Sequence, residues 1–417
     1  MLDFLLNPEE LKVRDDAREF ARTKVDRSLL LAMDADEVRF PRQFLKDCGE
    51  ANLLGVRFPP EYGGRGLGWV AEMAALEEIA VTNTSLACLY SLVSICGEAL
   101  VKFGTEEQRQ KYLVPTLAGE MCCGEALTEP RGGSDFFGAT TRARQDGDEW
   151  VLNGQKRFVV GAEGADYFLV YARTSDDPNV HRYNQISLFI VEKAMGIETK
   201  YIYGLMGTRG GGAGRLVFRD VRVPAENVVA GIGEGGRIFH QMMIPERMTT
   251  AGGGLGMARE ALRIAARYST KRKAFGRRIN QFQGVSFKVA DMVTKLDSMR
   301  GMVYLAAKAI DSGQPPGVQR RLVSEAKRVS SEMGFEVVSL AMQVMGGIGY
   351  TNVFPIERMF RDSRLASIWT GTSEIMNLII QHEFFAELAA EEKAGRKVRD
   401  VERDAAEADA ADEKIFE

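Results

Sequence analysis

Residues 141–154 read TRARQDGDEWVLNG, and two Asx-Gly pairs, Asp146-Gly147 and Asn153-Gly154, fall within them. Such pairs are strong hairpin signals, because a two-residue type I′ turn needs positive φ at both central positions. The flanking stretches 141–144 and 149–152 are therefore expected as strands. Short β-branched and aromatic runs continue the pattern at 167–171, 186–191 and 215–218. This is a β-rich region set between helical ones.

On the N-terminal side, 9–32, 41–51 and 69–81 read as charged amphipathic helices. Residues 86–103 are almost wholly apolar, with Glu98 and Lys102 only near the end, and predict a buried helix. Pro59-Pro60 and the run Gly63-Gly64-Arg65-Gly66 mark a loop. Beyond Gly236 the helical period returns, with helices expected over 238–268, 283–312, 317–345 and 373–388, lengths that suit a bundle. The expected plan is an α+β multidomain chain. It has an N-terminal helical domain (1–121), a middle β-barrel-like domain (122–232), a C-terminal four-helix bundle (233–388) and a charged tail (389–417). The tail, rich in Ala, Glu, Asp, Lys and Arg, reads as a solvated helix or a disordered segment.

Composition narrows the function classes. The chain has 417 residues, 45% hydrophobic and 27% charged, which is ordinary for a globular protein. Its net charge of −4 makes no electrostatic case for nucleic acid or an anionic membrane. No apolar run of 18 residues is read as a membrane helix, and the first ten residues, with Asp3 and Glu9, do not resemble a signal peptide. The five cysteines form no CxxC pair and the three histidines are scattered, so disulfides and a metal site are not expected. A reduced, cytoplasmic protein without metal is the resulting expectation. Gly231-Ile-Gly233-Glu-Gly235-Gly236 satisfies GxGxxG literally, but it follows a β-rich region and precedes only helices. A dinucleotide fold needs that motif inside a βαβ unit, so the glycines read as a linker into a long helix. The glycine runs at 209–214 and 252–256 lack the Lys-Ser/Thr ending of a phosphate-binding loop.

Several short segments, taken in order, resemble the acyl-CoA dehydrogenase family over residues 1 to 385. They are PPEYGG (59–64), LTEPRGGSD (127–135), NGQKRF (153–158), RKAFG (272–276), QVMGG (343–347) and GTS (371–373). The resemblance implies FAD as cofactor, an acyl-CoA thioester as substrate, electron-transfer flavoprotein as acceptor and a homotetramer. It places Thr128 on the flavin ring and Ser134 at the cofactor or thioester. Phe158 stands where the family has a tryptophan, and Val160 where many members have a threonine near flavin N5. Thr372 and Glu374 fall at the diphosphate and adenosine portion. Arg272, Phe275, Gln343 and Gly347 match residues that reach the FAD of a neighbouring subunit. Arg131 and Arg247 are further candidates for holding substrate.

The base departs from the commonest pattern. Abstracting the α-proton of a thioester needs a carboxylate in an apolar slot, where desolvation raises its basicity. Most members place that glutamate directly before Gly-Thr, where this chain has Thr370. A minority resembling isovaleryl- and long-chain acyl-CoA dehydrogenases carry it on a C-terminal-domain helix before an arginine, and here Glu246-Arg247 stand there, among Met242, Met243 and Met248. The expectation is Glu246 as base, a Pro245 kink aiming it, and the Thr370 backbone N–H as half of the hole that stabilises the enolate. Rival readings are an acyl-carrier-protein thioester dehydrogenase, an oxidase using dioxygen, and a lyase on the same fold.

Overall fold

The computed structural model describes residues 3–394, so all but the first residues of the tail lie outside it. Helices α1 (Pro8–Lys24), α2 (Arg27–Asp34), α3 (Arg42–Glu50), α4 (Trp69–Ile79) and α5 (Thr84–Phe103) come first. The single helix expected over 9–32 is thus two, broken at Val25-Asp26. Asn7 caps α1, its side chain accepting from the backbone N–H of Glu9 and Glu10 while Glu10 returns the bond.

The amphipathic reading of 69–81 does not hold. Every residue of α4 is buried, including Glu72, Glu77 and Glu78. Arg57 pairs with Glu72 and Glu98, while Arg259 pairs with Glu77 and Glu78 and Arg300 with Glu77. The acids are tolerated inside because distant guanidinium groups neutralise them. Periodicity along α4 alone cannot show this. Helix α5 is long and apolar enough to span a membrane by length and composition, which the sequence reading did not allow for. Yet 78% of its apolar window is buried inside the protein, and it packs against the helix carrying residues 235–269.

The middle region is a mixed eight-stranded sheet of β1 (Cys123–Ala126), β2 (Arg142–Asp146), β3 (Glu149–Val159), β4 (Tyr167–Arg173), β5 (Ile186–Glu192), β6 (Glu198–Ile202), β7 (Gly214–Pro224) and β8 (Val228–Val229). The order is β6-β7-β3-β2-β4-β5-β8, mostly antiparallel, with β1 joined in parallel to β4. Alternate residues of β4 and β5 enter two cores. Tyr167, Leu169 and Tyr171 pack with the helices, whereas Phe168, Val170 and Ala172 pack within the sheet. That is why these strands read as unbroken apolar runs.

The two Asx-Gly pairs differ. The Asp146-Gly147 pair lies at a true hairpin, with Asp146 still paired to Glu149 and φ at Gly147 of +67°. Asn153-Gly154 is no turn but a bulge within β3, where the register against β7 slips between Leu152 and Gly154. Asn153 locks the bulge by exchanging hydrogen bonds with Asp220. A Cβ at Gly154 would lie 2.5 Å from Thr141 Oγ1, so only glycine lets β3 pass there.

The C-terminal region consists of α6 (Gly235–Ser269), α7 (Gln283–Asp311), α8 (Pro316–Met345), α9 (Ile356–Ser363) and α10 (Ser373–Lys393). Gly231 and Gly233, both at positive φ, form the linker into α6 as expected. Helix α6 continues uninterrupted through Pro245, with no break in the helix at that residue. Glycine lets α6 approach α4 closely, since a Cβ at Gly256 would lie 2.4 Å from the Glu77 carbonyl oxygen. Gly256→Ala is therefore expected to cost about 1–3 kcal/mol by overpacking, measured by urea unfolding. An unchanged midpoint would show that the contact can yield.

Candidate active site

Glu246 sits in the first half of α6, with Met242 and Met248 wholly buried around it. The residue itself is half-buried. Burial pushes its carboxyl above the usual range, while a hydrogen bond with Glu125 and the charge of Arg247 pull the other way. The group is thus desolvated yet still partly accessible.

Thr370 lies in the loop before α10 and meets α6 at Thr250, one helical turn beyond Glu246. Its Oγ1 is 3.2 Å from Thr250 Oγ1, and Thr250 Oγ1 donates to the Glu246 carbonyl at 2.9 Å. Thr370 holds φ at +53°, a left-handed value that a β-branched residue rarely adopts. The loop is gripped from α8. Lys327 Nζ donates to the Gly371 carbonyl at 2.6 Å and Ser331 Oγ to the Ala366 carbonyl at 3.0 Å. Burial and the facing Arg247 bring Lys327 down to about 8. Arg247, lowered to about 10 by burial, is turned inward, with Ser324 Oγ 3.5 Å from its Nη1. No ion pair joins Glu246 to Arg247 among the described residues.

The other expected residues form two further groups. Thr128 follows β1 and is held by β3 at three successive positions. Lys156 Nζ donates to the Leu127 carbonyl at 3.1 Å, the Arg157 N–H to the Thr128 carbonyl at 2.8 Å, and Lys156 Nζ to Glu129 Oε1 at 2.8 Å. Phe158 stands at φ +57°, 51% exposed, against Tyr203 at 4.7 Å between ring centres; Val160 is half-buried beyond it. Arg131 and Ser134 are exposed in the loop before β2. Glu374 is exposed in the first turn of α10 and bonds Thr372.

Arg272, Phe275, Gln343 and Gly347 are all exposed. Phe275 and Gly276 form the tip of a small hairpin, β9 (Lys273–Ala274) and β10 (Arg277–Arg278), with φ of +50° and +79°. Phe275 is 95% exposed, and an aromatic in that state and conformation marks a contact surface.

Reading the sequence had missed two features. One is the wholly buried Lys156–Glu129 pair, although both residues lie in quoted segments. The other is Glu125, whose only signal is one acid in the otherwise apolar run CCGEAL (122–127).

These parts define a class: a helical–sheet–helical protein with a desolvated carboxyl on a long helix of its C-terminal region. The acyl-CoA dehydrogenase N-terminal domain matches residues 7–120, the middle domain 124–221 and the C-terminal domain 233–385. A short-chain-specific acyl-CoA dehydrogenase of Clostridium acetobutylicum is 36% identical over 92% of this chain and 100% of its own length. The mitochondrial isovaleryl-CoA dehydrogenase of Pongo abelii is 33% identical over 92% of this chain and 90% of its own. The butyryl-CoA dehydrogenase structure from Megasphaera elsdenii superposes with a TM-score of 0.86 at 30% identity, covering 91% of this chain and 99% of that one. The chain belongs to the acyl-CoA dehydrogenase family and is an oxidoreductase of that kind.

Proposed function

We propose that this enzyme oxidises the α,β bond of an acyl-CoA thioester to the 2-enoyl-CoA, with Glu246 taking the α-proton. The observation that carries the reading is a desolvated, accessible carboxyl on α6 beside a loop whose usual glutamate is Thr370. Family membership makes FAD the cofactor. The chain's own groups fit it: Ser373 Oγ and Trp369 Nε1 are buried without partners among the described residues, beside the N-terminus of the 21-residue α10. An anionic diphosphate suits such a helix start, with Thr372 and Ser373 to hold it. Thr128 would meet the ring, with Phe158 covering its edge. When bound, FAD supplies the acceptor for the hydride leaving Cβ.

The protein's share of the chemistry is placement and proton removal. Glu246 waits as a carboxylate in a methionine-lined slot, where little water competes for it. The Thr370 backbone N–H offers a donor for the developing enolate oxygen. Arg131 and Ser134 border the exposed approach and would hold the CoA arm. The exposed Arg272, Phe275, Gln343 and Gly347 would reach a neighbouring subunit's FAD, which calls for a dimer or a dimer of dimers, the homotetramer of the resemblance. Electrons would leave to electron-transfer flavoprotein, and the five free thiols suit the reducing cytoplasm.

Anaerobic flavin bleaching across a panel of straight, branched and cyclic acyl-CoAs tests the reading. At least one member should bleach the flavin and yield the enoyl product. A panel that binds without bleaching would overturn it.

A further inference from the structure

Glu125 occupies an unexpected place. Along β1 the side chains alternate: Ala126 enters the core of the sheet, while Cys123 points to α5, its thiol donating to the Leu92 carbonyl at 3.5 Å. Glu125 shares the Cys123 side and faces the base. Among the described residues, neither of its carboxyl oxygens has a hydrogen-bond donor within reach. Its polar contact is with the carboxyl of Glu246, which is itself an acceptor when ionised. Two carboxylates cannot bond each other, so the contact is a hydrogen bond only if one of them holds a proton.

We infer that Glu125 is a positioning residue for the base: the two carboxyls share one proton, Glu125 holds it, and its O–H aims the Glu246 carboxylate. This rests on Glu246 being the base. The surroundings decide which residue keeps the proton. Glu246 has the cationic Arg247 beside it, which favours its anion. Burial, Glu246 and Cys123 all push the Glu125 carboxyl up, with no cation to oppose them. The other titratable groups facing the pair are Cys88 and Cys96 of α5 and Tyr171 of β4. Burial keeps all three protonated at neutral pH. The pair therefore behaves as one unit with one negative charge, and its ionisations belong to both residues. An O–H bond to the reactive carboxylate restrains its rotation and lowers the pH at which it becomes available.

The test uses the FAD-loaded enzyme. In single-turnover flavin reduction, Glu125→Leu removes the donor, so the acidic limb of the rate profile should move up by about one pH unit. Glu125→Gln still donates through its amide, and its limb should stay with that of the wild type. A Leu profile matching the wild type, or equal shifts in both variants, would overturn the proposal. An infrared difference between wild type and Glu125→Gln reads the proton directly, without turnover, and remains available if the leucine variant does not fold. It should show a protonated carboxyl at neutral pH that the glutamine variant lacks; absence of that band overturns the proposal too. Normal flavin reduction by Glu246→Gln would instead remove the base assignment, while the infrared result would still report on Glu125.

Discussion

Glu246→Gln is expected to keep FAD bound while slowing substrate-driven flavin reduction by about 10²–10⁴, the usual worth of a positioned general base. The amide keeps the side chain's size among Met242, Met243 and Met248, so packing around it is preserved. What disappears is the acceptor proposed for the α-proton. The α-proton of a thioester is weakly acidic, which places the loss at the upper end. Adding Thr370→Glu should restore part of the rate. Thr370 and the Glu246 turn meet through Thr250, so a carboxylate at 370 is expected to stand beside the same turn of α6. Residue 370 already holds φ at +53°, and an unbranched glutamate fits that backbone no worse than threonine. Stopped-flow bleaching of the three proteins decides the matter. Wild-type speed in Glu246→Gln would mean the proton leaves to another group.

Lys156→Met is expected to cost about 3–5 kcal/mol, because it strands a buried carboxylate. Lys156 is wholly buried and its ammonium is held 2.8 Å from Glu129. Complete burial pulls Lys156 down against the pull of Glu129. Glu129 is held down to about 2, where burial opposes it but Lys156 and two bonds from Thr140 prevail. A depressed acid stabilises the fold above its unfolded value and loses that contribution as pH falls toward about 2. The penalty in Lys156→Met should accordingly be largest at and above neutrality and shrink as pH falls, first where the stranded carboxyl, raised by burial, takes a proton and then as the wild-type pair itself titrates toward about 2. Denaturant midpoints of the two proteins across pH measure this, and a pH-independent difference would contradict it. Because β3 grips residues 127–129 through this lysine, flavin affinity should fall together with stability.

The sequence by itself determined the order of helical, sheet and helical regions. Period is a local property, and a helix of 35 residues or a buried strand shows it without knowing its neighbours. It also put Glu246 and Thr370 forward as candidates, since one acid stands among methionines and the family resemblance shows a threonine where the usual glutamate precedes Gly-Thr. The tertiary structure alone decided which charges are inside. The acids of α4 look solvated until Arg57, Arg259 and Arg300 arrive from elsewhere in the chain. Asn153-Gly154 looks like a turn until β7 pairs across it and makes it a bulge. Glu125 looks like a stray polar residue until α6 brings a second carboxyl against it. A pairing between residues 121 positions apart leaves no mark on either segment's period or propensity. It exists only when the sheet and the bundle close on each other, and there burial pushes both carboxyls above their ordinary range.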